Sequence, residues 1–182
     1  MFSVRIRDDC ELKLVEERHA PAVFACVDKN RDTLREWLPW VDASTHLEFT
    51  RAFIRTALAR FAEECAVQAG IWVGNDFAGM IGYVGVDWMN HRTEIGYWLA
   101  PAYEGRGLMT EACRALVGHA FRELGLNRVE IRCATANRRS RAIPERLAFQ
   151  EEGIQRQAQL LHNRYVDLVV YSMLAADWGS GQ

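Results

Sequence analysis

Gly105 and Gly107 flank Arg106 in a loop that follows the alternating run Thr93-Glu94-Ile95-Gly96-Tyr97-Trp98-Leu99 and feeds a helical one. A helix that opens from such a loop exposes unpaired backbone N–H groups, and its dipole favours negative charge there. Glycine lets an anion come close to the backbone, so the chemistry on offer is phosphate binding. An ordinary tight strand-to-helix turn uses the same residues. Two other phosphate loops are excluded: no Gly-Lys-Ser/Thr follows, and no third glycine stands in the dinucleotide register. Residues 104–148 hold nine arginines against five glutamates in a chain of net charge −2. That surplus suits a phosphate-bearing ligand or, equally, a solvated helix face.

Other side chains able to do chemistry are scattered. Ser140 follows Asn137 by three residues, the spacing of a helix cap and its first turn. Glu94 lies in a strand-like run, and His162 lies in a polar turn beside Asn163. Trp37, Trp40 and Trp88 are large enough to wall a binding cleft, or to fill a core. The cysteines, Cys10, Cys26, Cys65, Cys113 and Cys133, are odd in number and form no CxxC pair. Buried reduced thiols are expected rather than a disulfide framework or a zinc site. No apolar run reaches the ~20 residues of a membrane span. The first nine residues lack the apolar core of a secretion signal. A cytoplasmic protein is expected, with no metal, no membrane and no direct nucleic-acid partner.

Elements must hold these residues in place. At 182 residues and 49% hydrophobic composition, one globular domain is expected. Residues 11–16 alternate and read as a strand, and 19–27 and 30–37 read as helices ended by Pro39. A third helix is expected to start from Thr45 or Ser44 as cap, with Phe49, Phe53, Ile54, Ala57, Leu58 and Phe61 at helical spacing. Residues 67–73 and 77–88 form two strands around Gly74-Asn75-Asp76. A third strand spans 93–99. Residues 107–124 are helical, with Met109, Ala112, Cys113, Leu116 and Ala120 along one stripe and Gly125 as the stop. A strand at 128–133, a helix at 137–147 capped by Asn137, and strands at 150–160 and 164–174 complete a set of seven strands.

Taken together, Glu94-Ile95-Gly96-Tyr97-Trp98-Leu99, Tyr103-Glu104-Gly105-Arg106-Gly107-Leu108-Met109-Thr110-Glu111-Ala112 and Asn127-Arg128-Val129-Glu130-Ile131-Arg132-Cys133 resemble the GNAT acetyltransferase superfamily. Residues 137–153, beginning Asn137-Arg138-Arg139-Ser140-Arg141, narrow the likeness to its Rim-type branch, the ribosomal-protein N-terminal acetyltransferases. Trp37-Leu38-Pro39-Trp40 and Tyr165-Val166-Asp167 extend it over essentially the whole chain, more loosely before residue 66. The resemblance implies an α+β fold with a mixed, mostly antiparallel seven-stranded sheet flanked by helices. Its fourth and fifth strands would splay apart to admit acetyl-CoA. Within the single domain 1–182, residues 1–65 would supply the N-terminal strand and acceptor-side helices. Residues 66–153 would form the acetyl-CoA-binding core, and 154–182 the C-terminal strands.

The site residues follow from the same resemblance. Backbone groups of Trp98 and Leu99 would meet the acetyl and pantetheine amides. N–H groups across Glu104, Gly105, Arg106, Gly107, Leu108, Met109 and Thr110 would hold the pyrophosphate. Asn137 would meet the pantetheine arm and Arg141 would lie towards the nucleotide. Trp37, Trp40, Trp88 and His162 would face the acceptor, and a homodimer is implied. Three positions depart from the pattern. Glu104 stands where the loop usually opens with Gln or Arg. Pro144 stands where many members place a Tyr acid, a role the Rim-type branch gives to a serine at Ser140. Gln159 replaces the Glu proposed as general base, and an amide takes no proton near neutrality.

Acetyl transfer to an amine needs a neutral nucleophile, a polarised thioester and a proton for the sulfur. An α-amine, ordinarily at about 7.7–8.0, is partly neutral near pH 7.5, whereas a lysine near 10.4 is not. Weak base machinery therefore suits an α-amine. Water relayed to Glu94, Asp87 or His162 is the alternative to the missing Glu. Acetylation of a protein N-terminus is the expected activity. A small amine such as a polyamine or antibiotic, or a non-catalytic acyl-CoA sensor, are the alternatives.

Overall fold

The structure, a computed structural model, describes residues 3–179; Met1 and Phe2, part of the segment read for a leader, lie outside it. The chain opens with an antiparallel pair, β1 (Ser3–Arg7) and β2 (Cys10–Leu14). Three helices follow: α1 (Ala20–Lys29), α2 (Arg31–Leu34) and α3 (Leu47–Ala62). A meander of β3 (Val67–Val73), β4 (Asp76–Asp87) and β5 (Arg92–Leu99) leads to α4 (Leu108–Arg122), β6 (Arg128–Ala134) and α5 (Arg138–Arg146). The hairpin β7 (Gln150–Leu161) and β8 (Arg164–Leu174) and the short α6 (Ala175–Trp178) close the fold.

All eight strands form one sheet in the order β1-β2-β3-β4-β5-β6-β8-β7. The expected count of seven is therefore one short. The extra strand, β1, has only Val4 and Ile6 as apolar residues between arginines, too short an alternation to stand out. It becomes a strand because β2 offers it a free edge, with Val4 opposite Leu12. Thr45 and Ser44 do not cap α3, which starts from His46 without a side-chain cap. Ser44 is instead buried, its carbonyl taken by the Arg31 guanidinium at 2.7 Å. The second helix is a single turn, and Pro39 begins a separate 3₁₀ turn over Pro39–Asp42.

Two layers of helix cover the sheet. On one face, Leu108, Met109, Ala112, Cys113, Leu116 and Val117 of α4 pack against Ile81, Ile95, Val129 and Ile131. On the other, Val23 of α1 and Ile54 and Ala57 of α3 pack against Trp72, Phe77 and Met80. Burying each large aliphatic side chain stabilises the fold by about 1.5–3 kcal/mol, so the α4 stripe fixes that helix firmly. All five cysteines are free thiols. Cys10, Cys113 and Cys133 are buried as expected, but Cys26 and Cys65 are partly exposed. Among the described residues, no helix is long and apolar enough to cross a membrane.

The feature that makes a site is where the sheet fails to close. Among the described residues β5 and β6 are the one parallel pair, and they stay in register only over Arg92–Glu94 against Arg128–Glu130. Beyond that point β5 follows β4 and β6 follows β8, opening a wedge. These are the fourth and fifth strands of the expected seven. The Arg132–Glu94 ion pair bridges the two strands just where they part.

Candidate active site

A cleft of about 930 Å³ occupies the wedge, running from the loop before α4 past Tyr97 to the start of α5. That volume is at the upper end of those of small-molecule sites. Its floor at one end is the opening of α4. Gly105 and Gly107 have φ of +72° and +77°, the left-handed region where a side chain is strained. Gly107 is the N-cap and has no side chain to cap with. The N–H groups of the first turn, Leu108, Met109 and Thr110, are therefore presented to the cleft with the positive end of the helix dipole.

Charges around this end are partly spent. Glu111 and Arg7 form a bidentate pair, which holds the Glu111 carboxyl below its usual range and ties the unforeseen strand β1 to α4. Glu104 is paired with Arg139 at 2.6 Å across the mouth. Glu104 thus removes one cation from the lining, while its backbone stays in the loop. Arg114 and Arg146 also line the cleft, and neither makes a salt bridge among the described residues; Arg146 reaches only the Thr110 hydroxyl at 3.5 Å.

Along the wedge, β5 has one ladder edge free. Ala100 donates its N–H to Ala78 on β4, so the alternation of an antiparallel ladder turns Trp98 groups the same way. Main-chain groups of Tyr97 and Leu99 then face the gap. Trp98 contributes its indole instead, packed 5.8 Å from Phe77 and 6.0 Å from Trp40.

At the far end stands Ser140. Asn137 caps α5 as expected, its Oδ1 accepting the Ser140 N–H at 3.1 Å. The Ser140 hydroxyl lies 3.2 Å from Cys133 Sγ and donates to Tyr97 Oη at 3.3 Å. Tyr97 in turn donates its phenol proton to the Ser140 main-chain carbonyl at 2.9 Å. Burial pushes both the Tyr97 phenol and the Cys133 thiol up, so both stay neutral and protonated near pH 7. Tyr97 and Cys133 belong to this cluster, although the sequence offered Tyr97 only as part of an alternating run and Cys133 only as a buried thiol. The Pro144 within α5 was the available signal, because it leaves a helical carbonyl unpaired.

Several expected residues lie elsewhere. Arg141 turns away from the cleft and binds Tyr171, Glu151 and the Thr135 carbonyl, because α5 presents that side to β8. Trp88 lines neither cavity; its indole donates to the Glu64 carbonyl at the far end of β4. Glu94 is committed to Arg132. Asp87 is held by Asn90 and Arg92, which keep it below its ordinary value. His162 does not face the cleft. Its ring nitrogens meet Asp42, at 3.0 Å, and the Arg35 carbonyl, pinning the β7–β8 turn to the segment that bears Trp37 and Trp40.

Trp37 lines the main cleft and also a smaller cavity of about 280 Å³ beside Ala134–Ala136 and residues 164–167. Gln159 stands opposite Val166, which lines that second cavity. Trp40 packs at a tilt against Trp98 and does not itself line the cleft. Arg106 packs over the Tyr103 ring and leaves the glycines on either side to face the cleft. Among the described residues no group of His, Cys, Asp and Glu is arranged to hold a metal.

This architecture has known counterparts. The acetyltransferase (GNAT) domain family matches residues 10–150. YdaF of Bacillus subtilis (strain 168), named as a ribosomal N-acetyltransferase, is 35% identical over 179 residues, 98% of each chain. The ribosomal-protein-serine acetyltransferase of Escherichia coli (strain K12) is 27% identical over 94% of this chain and 96% of its own. A solved structure of RimL, a ribosomal L7/L12 α-N-protein acetyltransferase in complex with coenzyme A, matches with a TM-score of 0.92 at 29% identity. It covers 95% of this chain and 98% of that one.

Proposed function

The chain belongs to the GNAT acetyltransferase family, and we propose that it carries an acetyl group from acetyl-CoA to the N-terminal α-amine of a ribosomal or similar protein. The observation that carries this reading is the wedge between β5 and β6, with a glycine-opened helix at one end and a hydrogen-bonded serine at the other. The residues present suit the cosubstrate. First-turn N–H groups of α4 would hold the diphosphate, with Arg114 and Arg146 offsetting further phosphate charge. Main-chain groups of Tyr97 and Leu99 would pair with the amides of the arm. Acetyl-CoA supplies an activated thioester.

The protein's part is then modest and definable. Ser140 donates a hydrogen bond where negative charge develops on sulfur as the C–S bond breaks. The amine gives up one proton and the leaving thiolate takes one, so the exchange balances. Gln159 accepts no proton and Glu94 is tied to Arg132, so the two expected proton acceptors give little help, although the Glu36 carboxylate also lines the cleft. An α-amine near 7.7–8.0 tolerates this and a lysine near 10.4 does not. The acceptor chain would approach past Trp37 from the smaller cavity. A ribosomal acceptor would put the enzyme in the cytoplasm. The exposed Ile154, Leu160 and Tyr165 on the edge hairpin support a homodimer, which light scattering checks.

Thiol release from acetyl-CoA with an amine panel tests the reading. Peptides with a free Ser, Thr or Ala N-terminus should outrun the same peptides N-blocked and carrying an internal lysine. Preference for lysine or for polyamines would reject the acceptor. No thiol release from any amine would favour an acyl-CoA-binding sensor.

A further inference from the structure

In a regular helix the carbonyl of Ser140 accepts the N–H of residue 144, but that residue is Pro144, which has none. A carbonyl left without a partner in a part-buried place is unfavourable, and something must take it. Here Tyr97, from the neighbouring strand β5, donates its phenol proton to that oxygen at 2.9 Å. The same phenol oxygen receives the Ser140 hydroxyl at 3.3 Å, a long bond that yields readily. Cys133 closes the third side at 3.2 Å, and Asn137 holds the Ser140 N–H. The serine is thus gripped firmly by its main chain and lightly by its hydroxyl.

We infer that Tyr97 is a positioning residue for Ser140, gripping the carbonyl that Pro144 leaves unpaired and so aiming the serine hydroxyl into the cleft. This rests on the acetyl-transfer reading, and deepens it. The arrangement also explains how a proline is tolerated inside α5: the donor it removes is replaced from another element. The light hold on the hydroxyl leaves its proton free to swing from Tyr97 to the sulfur as charge develops there. Tyr97 transfers no proton itself, since its own is committed to the carbonyl.

Three variants and their combinations test this, with turnover and melting temperature read in parallel. Tyr97→Phe should lower kcat about 10-fold, less than the ~10²–10³ lost with a whole oxyanion-hole donor, and leave the KM for acetyl-CoA within about twofold. In a Ser140→Ala background, Tyr97→Phe should change kcat no further, because residues acting through one group are not additive. Losses that multiply instead would show Tyr97 acting independently of Ser140 and overturn the inference. Tyr97→Phe should also lower the melting temperature by about 1–6 °C, the loss expected for one part-buried hydrogen bond in a domain this size. Adding Pro144→Ala returns a helical N–H to the carbonyl and should recover both the melting temperature and most of kcat. No recovery of either would sink it. A wild type silent toward every amine would count against acetyl transfer alone, because the thermal rescue needs no ligand and still decides who holds the carbonyl.

Discussion

Gly107→Glu separates the proposed phosphate contact at the start of α4 from everything else in the cleft. With acetyl-CoA at about 100 times its Kd, a ligand that binds only the folded state stabilises it by about 2.7 kcal/mol. For a domain of this length each kcal/mol moves the melting point by about 2–4 °C, so the wild-type shift should be about 5–11 °C. A side chain at φ +77° carries left-handed strain of about 1–2 kcal/mol. Its Cβ would also meet Arg7 Nη2 at 3.1 Å, and that guanidinium is fixed by Glu111. A carboxylate at a helix N-terminus returns about 0.3–1 kcal/mol. The unliganded variant should therefore melt only a few degrees lower. The ligand effect is larger: like charges about 4 Å apart at an effective dielectric of 20 repel by about 4 kcal/mol, close to a thousandfold in affinity. At the same acetyl-CoA concentration the shift should fall below about 1 °C. Gly107→Ala carries the strain without the charge and should keep most of the shift. Thermal denaturation with and without acetyl-CoA, backed by calorimetric Kd values, reads both. A folded Gly107→Glu variant with the full shift would refute the placement of the phosphates at α4.

Gln159→Glu should raise the acetylation rate most visibly below pH 7.5, by about tenfold against the ~10²–10⁴ of an evolved general base; a flat response from pH 6 to 9 would put the proton path elsewhere. Tyr83→Phe removes the 2.7 Å bond from the phenol to the Leu116 carbonyl, which keeps its helical partner within α4, and should cost about 0.5–1.5 kcal/mol, read as a lower denaturation midpoint in urea. Arg128, with Ser172, draws the Glu152 carboxyl down to about 2 from an ordinary 4.5. Its contribution to stability is present above pH 4.5 and fades as pH falls towards 2, so Glu152→Gln should flatten the melting-temperature curve in that window. The effect should be modest and weaken with salt, since the side chain is 38% exposed.

Much of this site was legible in the chain because it rests on local backbone chemistry. Glycines at 105 and 107 mark a loop that opens a helix, Asn137 marks a cap, and both appear where expected. The alternation of residues 93–99 and the helical stripe from Met109 to Ala120 are short-range patterns, and they place β5 and α4 without help from the rest of the molecule. Side-chain partners are a different matter. Arg141 lies one residue beyond Ser140, yet which of the two faces the cleft depends on how α5 is rolled against β8. Trp37 and Trp88 are alike as residues, but only Trp37 is carried to the wedge, by a segment pinned through His162 from a hairpin far along the chain.

The sequence by itself determined most of the elements, the glycine-opened start of α4 and the capped serine, because backbone freedom and hydrophobic period are properties of neighbours in the chain. The tertiary structure alone decided that β1 would join the sheet, that Glu94 would be spent on Arg132, and that Tyr97 would replace the donor missing at Pro144. Each of these joins groups far apart in sequence whose meeting depends on strand register and helix roll, and neither is encoded by any single stretch of residues.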